Sequence, residues 1–462
     1  MTSVGNEPVD QQPGTGRGRV PPGPRGNALF GKLNDIRRDR LALMTSVTRE
    51  YGDAVRFTMG PKALYFFNHP DHAKHVLSDN NANYVKGLGL IQAKRALGDG
   101  LLTSEGELWR TQRRAIQPVF QHKRMAQAAS VVAEEAAALV ARWRTRPPGA
   151  IVDVVGEMTH VTLGVLGRAL LNADLGGADT IGHAFEAVQN QAIFEMLTLG
   201  AVPPWLPLPH QMRFRRGRRE LEALVDRLVD EHQSAADGAG DDLLSRLVAS
   251  TEQEPDERVR RRRMRDELIT LLLAGHETTA STLGWTWYLV DRHPEVFDRL
   301  HAEAVTVLGD RQPTYEDLHE LRYTTMVIEE VMRLYPPVWL LPRRAVGADE
   351  IGGYHVPPRA DVMLCPYTLH RHPDFWPEPD RFDPDRFAPE RAGERSRYAY
   401  IPFGAGPRFC VGNNLGMMEA VFVVATVARE LRPRLVPGRE VVAEPMLSLR
   451  VRGGLPMTLE AA

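Results

Sequence analysis

The stretch FGAGPRFCVGNN, residues 403–414, decides how this chain is read. It holds Cys410, one of only two cysteines among 462 residues. Gly404, Gly406, Gly412, Pro407 and Arg408 stand around the thiol, with two phenylalanines, Phe403 and Phe409, before it. A lone cysteine is ordinarily a small buried hydrophobe. This one sits in a loop whose glycines permit unusual backbone angles and the close approach of a flat ligand. The next segment, LGMMEAVFVVATVAREL (415–431), has a broad apolar face and reads as a helix. A helix N-terminus beside the thiol favours its thiolate form, and Arg408 offers a fixed cation to an acidic group. With no second cysteine nearby, the expectation is one soft metal ligand. Haem iron accepts a single axial thiolate of this kind.

Working outward, the longest helical pattern runs from about Arg260 to Asp291, before His293-Pro294. Its opening, RVRRRRMR, reads as a solvated face. Its middle, LITLLLAGHETTASTLGW, is apolar nearly all round and therefore buried, except for His276, Glu277, Thr278 and Thr279. A buried carboxylate is costly unless it is paired or functional. N-terminal to this helix the chain is mostly helical from Pro70, as in AQAASVVAEEAAALVARW (126–143). Two apolar loops, 83–106 and 200–211, interrupt it, and long loops of that kind are often lids or binding loops. Residues 54–67 read as a β-hairpin turning at Gly60-Pro61-Lys62. After Tyr335-Pro336-Pro337 come hairpin material at 349–367, an irregular stretch at 370–409, and a closing hairpin around Gly453-Gly454.

Composition narrows the function classes. The chain is 25% charged and 43% hydrophobic with a formal net charge of -2, which gives no electrostatic basis for a nucleic-acid partner. Cys365 and Cys410 lie too far apart in sequence to suggest a disulfide scaffold, so a reducing cytoplasm is expected. No stretch offers about 18 consecutive apolar residues, so no membrane anchor is expected. The Pro-, Gly- and Gln-rich residues 1–20 read as a disordered leader, and 21–462 as one domain.

Phe403, Gly406, Arg408, Cys410 and Gly412 fill every fixed position of F-x-x-G-x-R-x-C-x-G, so the loop resembles the cysteine signature of the cytochrome P450 family. Three further segments resemble that family in the right order. EVMR (330–333) is similar to its E-x-x-R helix, PDRF (384–387) to its P-x-R-F segment, and AGHETT (274–279) to its oxygen-activating groove. The resemblance implies a mainly α fold with small β-sheets, with haem b between the central helix and the helix after the cysteine. Cys410 would be the axial thiolate. Phe403, Gly404, Arg408, Gly412 and Ala274 would contact the macrocycle. Glu330, Arg333 and Arg386 would form a structural ion network. Trp109 and Arg113, in LWRTQRR, would reach one propionate, and Arg344 the other, with Arg343 the neighbouring alternative.

Catalytically, the resemblance casts Thr278 as the alcohol that steadies oxygen during reduction and Glu277 as the acid that brings protons from solvent. The substrate pocket would include Leu90, Ile91, Phe194, Leu271, Ala274, Val338, Trp339, Leu340, Met446 and Leu447. His276 and Cys365 are read as packing residues. The implied reaction inserts one atom of O2 into a lipophilic small molecule, with a terpenoid, polyketide or macrolactone favoured. Electrons would come from a ferredoxin or flavodoxin with an NAD(P)H reductase, and the chain would be a cytoplasmic monomer of secondary metabolism. A fatty-acid hydroxylase, a peroxide-using relative and a haem-based sensor are the competing readings. The Glu277-Thr278 pair counts against the last two.

Overall fold

A computed structural model describes residues 18–24, 32–60, 62–175, 177–198, 200–234, 242–252 and 254–462. The leader expected over 1–20 lies outside these apart from its last three residues, of which Arg19 bridges to Tyr354. The central helix spans Glu257–Arg292, about 54 Å at about 1.5 Å per residue. Asp256 caps it by accepting from the Arg258 amide, and Pro294 ends it because proline cannot extend the hydrogen-bonding ladder. Helices Val154–Val165, Arg322–Leu334 and Asn413–Ala428 pack around it. Leu268, Leu272, Leu283, Trp287, Val331 and Phe422 lie in this core, which explains why the helix is apolar on all sides.

A mixed sheet flanks the helices. Its strands are β1 (Ala54–Met59), β2 (Lys62–Phe67), β3 (Tyr84–Lys86), β4 (Leu341–Ala345) and β5 (Asp361–Leu364), in spatial order β1-β2-β5-β4-β3. The expected 54–67 hairpin is present, with Met59 opposite Lys62. The 349–367 reading needs correction. Asp349–Ile351 and Tyr354–Val356 do form a hairpin, but β5 leaves it to pair in parallel with β2. The closing hairpin is also corrected. Leu449–Val451 pairs with Ala443–Pro445, whereas Pro456–Ala461 joins Leu431–Leu435 and Ile151–Asp153. Gly453 and Gly454, at φ 73° and 84°, carry the chain between sheets, and a Cβ on Gly454 would lie 2.7 Å from Asp153 Oδ2.

An ion network fastens the irregular 370–409 stretch to the helix beneath it. Arg333 donates to both Glu330 oxygens at 2.7 and 2.8 Å, and to the carbonyls of His370, Pro379 and Arg381. Asp383 N donates to Glu330 at 2.9 Å. Glu330 and Arg333 are wholly buried, and full hydrogen bonding is what makes a buried pair tolerable. Arg386 stands 3.4 Å from Glu330 as an ion pair, while its Nη2 donates to the Glu378 carbonyl. His370 Nε2 accepts from Ile401 N, linking the same network to the chain just before the cysteine loop.

Candidate active site

Cys410 N donates to the Phe403 carbonyl at 3.0 Å, closing the loop that precedes helix Asn413–Ala428. Gly404 and Gly406 both have positive φ, 72° and 69°. Of the two, Gly406 departs from the sequence expectation of ligand approach and Gly404 agrees with it. A Cβ on Gly406 would lie 1.8 Å from the Leu77 carbonyl oxygen, so that glycine seats the loop on neighbouring backbone. Gly404 instead borders the open cavity. The helix N-terminus was expected to favour the thiolate. Here burial dominates and pushes the thiol up, opposed by the Gly412 N–H and the charge of Arg113. A cation bound to the sulfur would supply what burial opposes, since a coordinating thiol loses its proton.

The cysteine faces a cavity roofed by the central helix. Phe403, Gly404, Arg408, Cys410, Gly412 and Ala274 all line it, as expected. So do Leu90, Leu271, Val338, Trp339, Leu340, Met446 and Leu447. Two expected pocket residues do not. Ile91 projects outward, and Phe194 packs against His210 at 4.0 Å between ring centres. Their places are taken by Leu88, in the turn before helix Leu90–Leu97, and by Ile193 and Met196, which the rotational phase of helix Ala178–Leu197 turns inward. His276 is confirmed as a packing residue: Leu272 O lies 2.6 Å from its Nδ1, the ring meets Phe185, and burial drives it down to about 4. Cys365 is buried core, its Sγ donating to the Trp339 carbonyl.

At one end of the cavity three cations converge. Lys86 and Arg343 are direct cross-strand partners on β3 and β4, and Arg408 comes from the cysteine loop. Like charges opposite one another destabilise a sheet unless an anion lies between them. Burial, Arg343 and Arg408 push Lys86 far below its ordinary value, and burial, reinforced by Arg408, pushes Arg343 down to about 10. Glu105 is the acid facing them, pairing with Arg408 and accepting from Lys86 N. Arg408 also stacks over Trp109 at 4.3 Å. This cluster carries more positive charge than Glu105 balances, and with Cys410 on the same cavity it fits a haem that the thiol would hold and whose propionates the cations would meet.

Arg344 does not belong to the cluster. It faces the other side of β4 and donates to both Asp361 oxygens at 2.9 Å, so Arg343 is the cavity arginine. Neighbours on a strand point to opposite faces, and two adjacent arginines hide that phase in the sequence. Lys86 was missed because it lies in an apolar, glycine-rich stretch; the cross-strand register is what reveals it. Arg113 stands near Cys410, half-buried, its pKa lowered by burial.

On the roof, Thr278 Oγ1 donates to the Ala274 carbonyl at 2.8 Å, and the helix is continuous there. Ser448 Oγ donates to Glu277 Oε1 at 2.6 Å. Burial pushes the Glu277 carboxyl up, against Ser448, Arg450 and Gln189.

A thiol loop, a cluster of three cations and an acid–alcohol pair around one apolar cavity define a haem-thiolate oxygenase. The Cytochrome P450 family model matches residues 21–454, and the chain belongs to that family, whose cofactor is haem. It is similar to cyclooctatin synthase of Streptomyces melanosporofaciens, with 38% identity over 95% of each chain. It is 35% identical to cyclooctat-9-en-7-ol 5-monooxygenase of the same organism, over 92% of this chain and 90% of that one. Pentalenene oxygenase of Streptomyces avermitilis is 31% identical over 93% of each. The chain is a cytochrome P450 monooxygenase acting with O2 and redox partners. No helix among the described residues is long and apolar enough to cross a membrane.

Proposed function

We propose that this enzyme hydroxylates a neutral terpenoid in secondary metabolism. The observation carrying this reading is the apolar chamber of Leu90, Leu271, Val338, Trp339 and Met446 above Cys410, with its cations gathered at the Lys86–Arg343–Arg408 end. A free fatty acid would want a cation at the substrate end. The three relatives' names refer to cyclooctatin, cyclooctat-9-en-7-ol and pentalenene, which supports the terpenoid choice. Electrons come from a ferredoxin or flavodoxin with an NAD(P)H reductase, and the enzyme acts as a cytoplasmic monomer.

Haem held through Cys410 supplies oxygen activation, the part of the chemistry no side chain can perform. The chain supplies the rest. Lys86, Arg343 and Arg408 would hold the propionates. The apolar walls orient the substrate and exclude water. Thr278 keeps a hydroxyl on the roof, where its oxygen can accept while its proton rests on Ala274 O. Glu277 stands one residue away, its carboxyl pushed up by burial and so better able to take and pass on a proton. The test is turnover of a panel of cyclic terpene hydrocarbons and alcohols against fatty acids, with ferredoxin and reductase. Saturable substrate-induced spectral change and product from the terpene arm support the reading. Fatty-acid turnover alone overturns it.

A further inference from the structure

Glu277 has neighbours that the acid–alcohol reading does not use. Ser448 and Gln189 are both buried; Ser448 hydrogen-bonds its carboxyl from outside the central helix, and Gln189 stands close enough to favour the ionised form. Ser448 precedes strand Leu449–Val451, and that strand is pinned to the central helix at one point. The Leu449 carbonyl accepts from Ser281 Oγ at 2.5 Å and from Trp285 Nε1 at 2.9 Å. The register of Ser448 against Glu277 is therefore fixed by two bonds one residue away. Two positions further on, Arg450 donates to Glu444 at 2.8 Å and pairs with Glu186 at 3.5 Å. Glu186 and Gln189 lie three apart on helix Ala178–Leu197, hence on one face. Ser448 and Arg450 likewise share a strand face. The two faces meet along a polar seam from Glu277 to the half-exposed Glu186.

We propose that Ser448 and Gln189 are positioning residues that clamp the Glu277 carboxylate at the inner end of a solvent-connected seam, with Arg450, Glu186 and Glu444 as its outer end. The inference rests on the acid role given to Glu277 above and adds how this chain holds and recharges that acid. Among the described residues no ion pair holds Glu277 directly. Its donor is the neutral Ser448 hydroxyl, with Gln189 beside it, so the carboxyl can gain and lose a proton without breaking a salt bridge. Arg450 stabilises the ionised form from a distance, tempered by its own two carboxylates. His276, the adjacent titratable group on the central helix, is held neutral by burial and turned towards Phe185.

The experiment follows the protonated Glu277 carboxyl by infrared spectroscopy of the holoprotein across pH, with Glu277→Gln assigning the band. Ser448→Ala removes a hydrogen bond to the charged form, so the band should persist to a pH higher by about one to two units. Ser448→Thr keeps the hydroxyl and should titrate like the parent. Gln189→Leu should shift the band in the same direction as Ser448→Ala. An unchanged titration in both Ser448→Ala and Gln189→Leu overturns the clamp. Haem content and the reduced carbon-monoxide spectrum are read on the same samples. Their loss in the parent would refute the haem-thiolate assignment itself, whereas intact spectra with an unmoved band refute only the clamp.

Discussion

Replacing Arg343 with leucine separates two adjacent arginines that the fold uses differently. In the parent, Arg343 faces Lys86 across the sheet and Arg408 from the cysteine loop, with a single hydrogen bond to its neighbour's carbonyl. Its removal relieves like-charge repulsion in the haem-free protein, which should melt no lower than the parent apoprotein. In the holoprotein it removes a charge-assisted contact to a propionate, worth about 1.5–3 kcal/mol. Haem should then be lost about tenfold to a hundredfold more readily. Arg344→Leu predicts the opposite pattern. It strands the buried Asp361, whose remaining donor is the Leu88 amide, at a cost of about 3 kcal/mol to the fold. The assay is transfer of haem to an excess of a haem-scavenging apoprotein, alongside melting of the apo and holo forms. If Arg343→Leu retains haem like the parent while Arg344→Leu sheds it without loss of fold, the placement of the propionates is wrong.

Arg333→Ala should give little soluble holoprotein, because it strands a fully buried carboxylate and three carbonyls; a cost of roughly 3–5 kcal/mol is large against a net stability of about 5–15 kcal/mol. Arg386→Ala should be milder, since its 3.4 Å contact with Glu330 is an ion pair without a hydrogen bond; expression yield and thermal melting rank the two. Thr278→Ala should still consume NAD(P)H but release more hydrogen peroxide and less product per reducing equivalent; unchanged coupling would leave its hydroxyl only the bond to Ala274. Burial pushes Glu267 up to about 8, well above its unfolded value of about 4.3. Between those values the folded state binds more protons than the unfolded one, so stability falls as pH rises. Glu267→Gln should flatten the fall in melting temperature from about pH 5 to pH 8, and an equally steep slope in the variant would refute it.

The parts legible in the sequence were those with a local signature. The cysteine loop has fixed spacing, and the central helix has enough apolar residues to declare its burial on all sides. What stayed hidden was phase and register. Arg343 and Arg344 are chemically identical neighbours, and only the pairing of Arg344 with Asp361 turns Arg343 inward. Lys86 acquires meaning only opposite Arg343. Phe194 and Ile91 are apolar residues on helices whose rotation the sequence leaves open, and both turn from the cavity. Gly453-Gly454 looked like a hairpin turn because two strands flank it. The strands' partners lie elsewhere in the chain, which no local pattern records.

The central claim is that Cys410 binds the haem iron as a thiolate beneath the acid–alcohol roof. Its most direct test is the absorption spectrum of the reduced carbon-monoxide complex of the purified holoprotein. The parent and Cys365→Ser should both show the thiolate-specific band, because Cys365 is buried away from the cavity with its sulfur on the Trp339 carbonyl. Cys410→Ser should lack that band even where haem is retained. A thiolate band surviving in Cys410→Ser, or missing from the haem-loaded parent, would contradict the account.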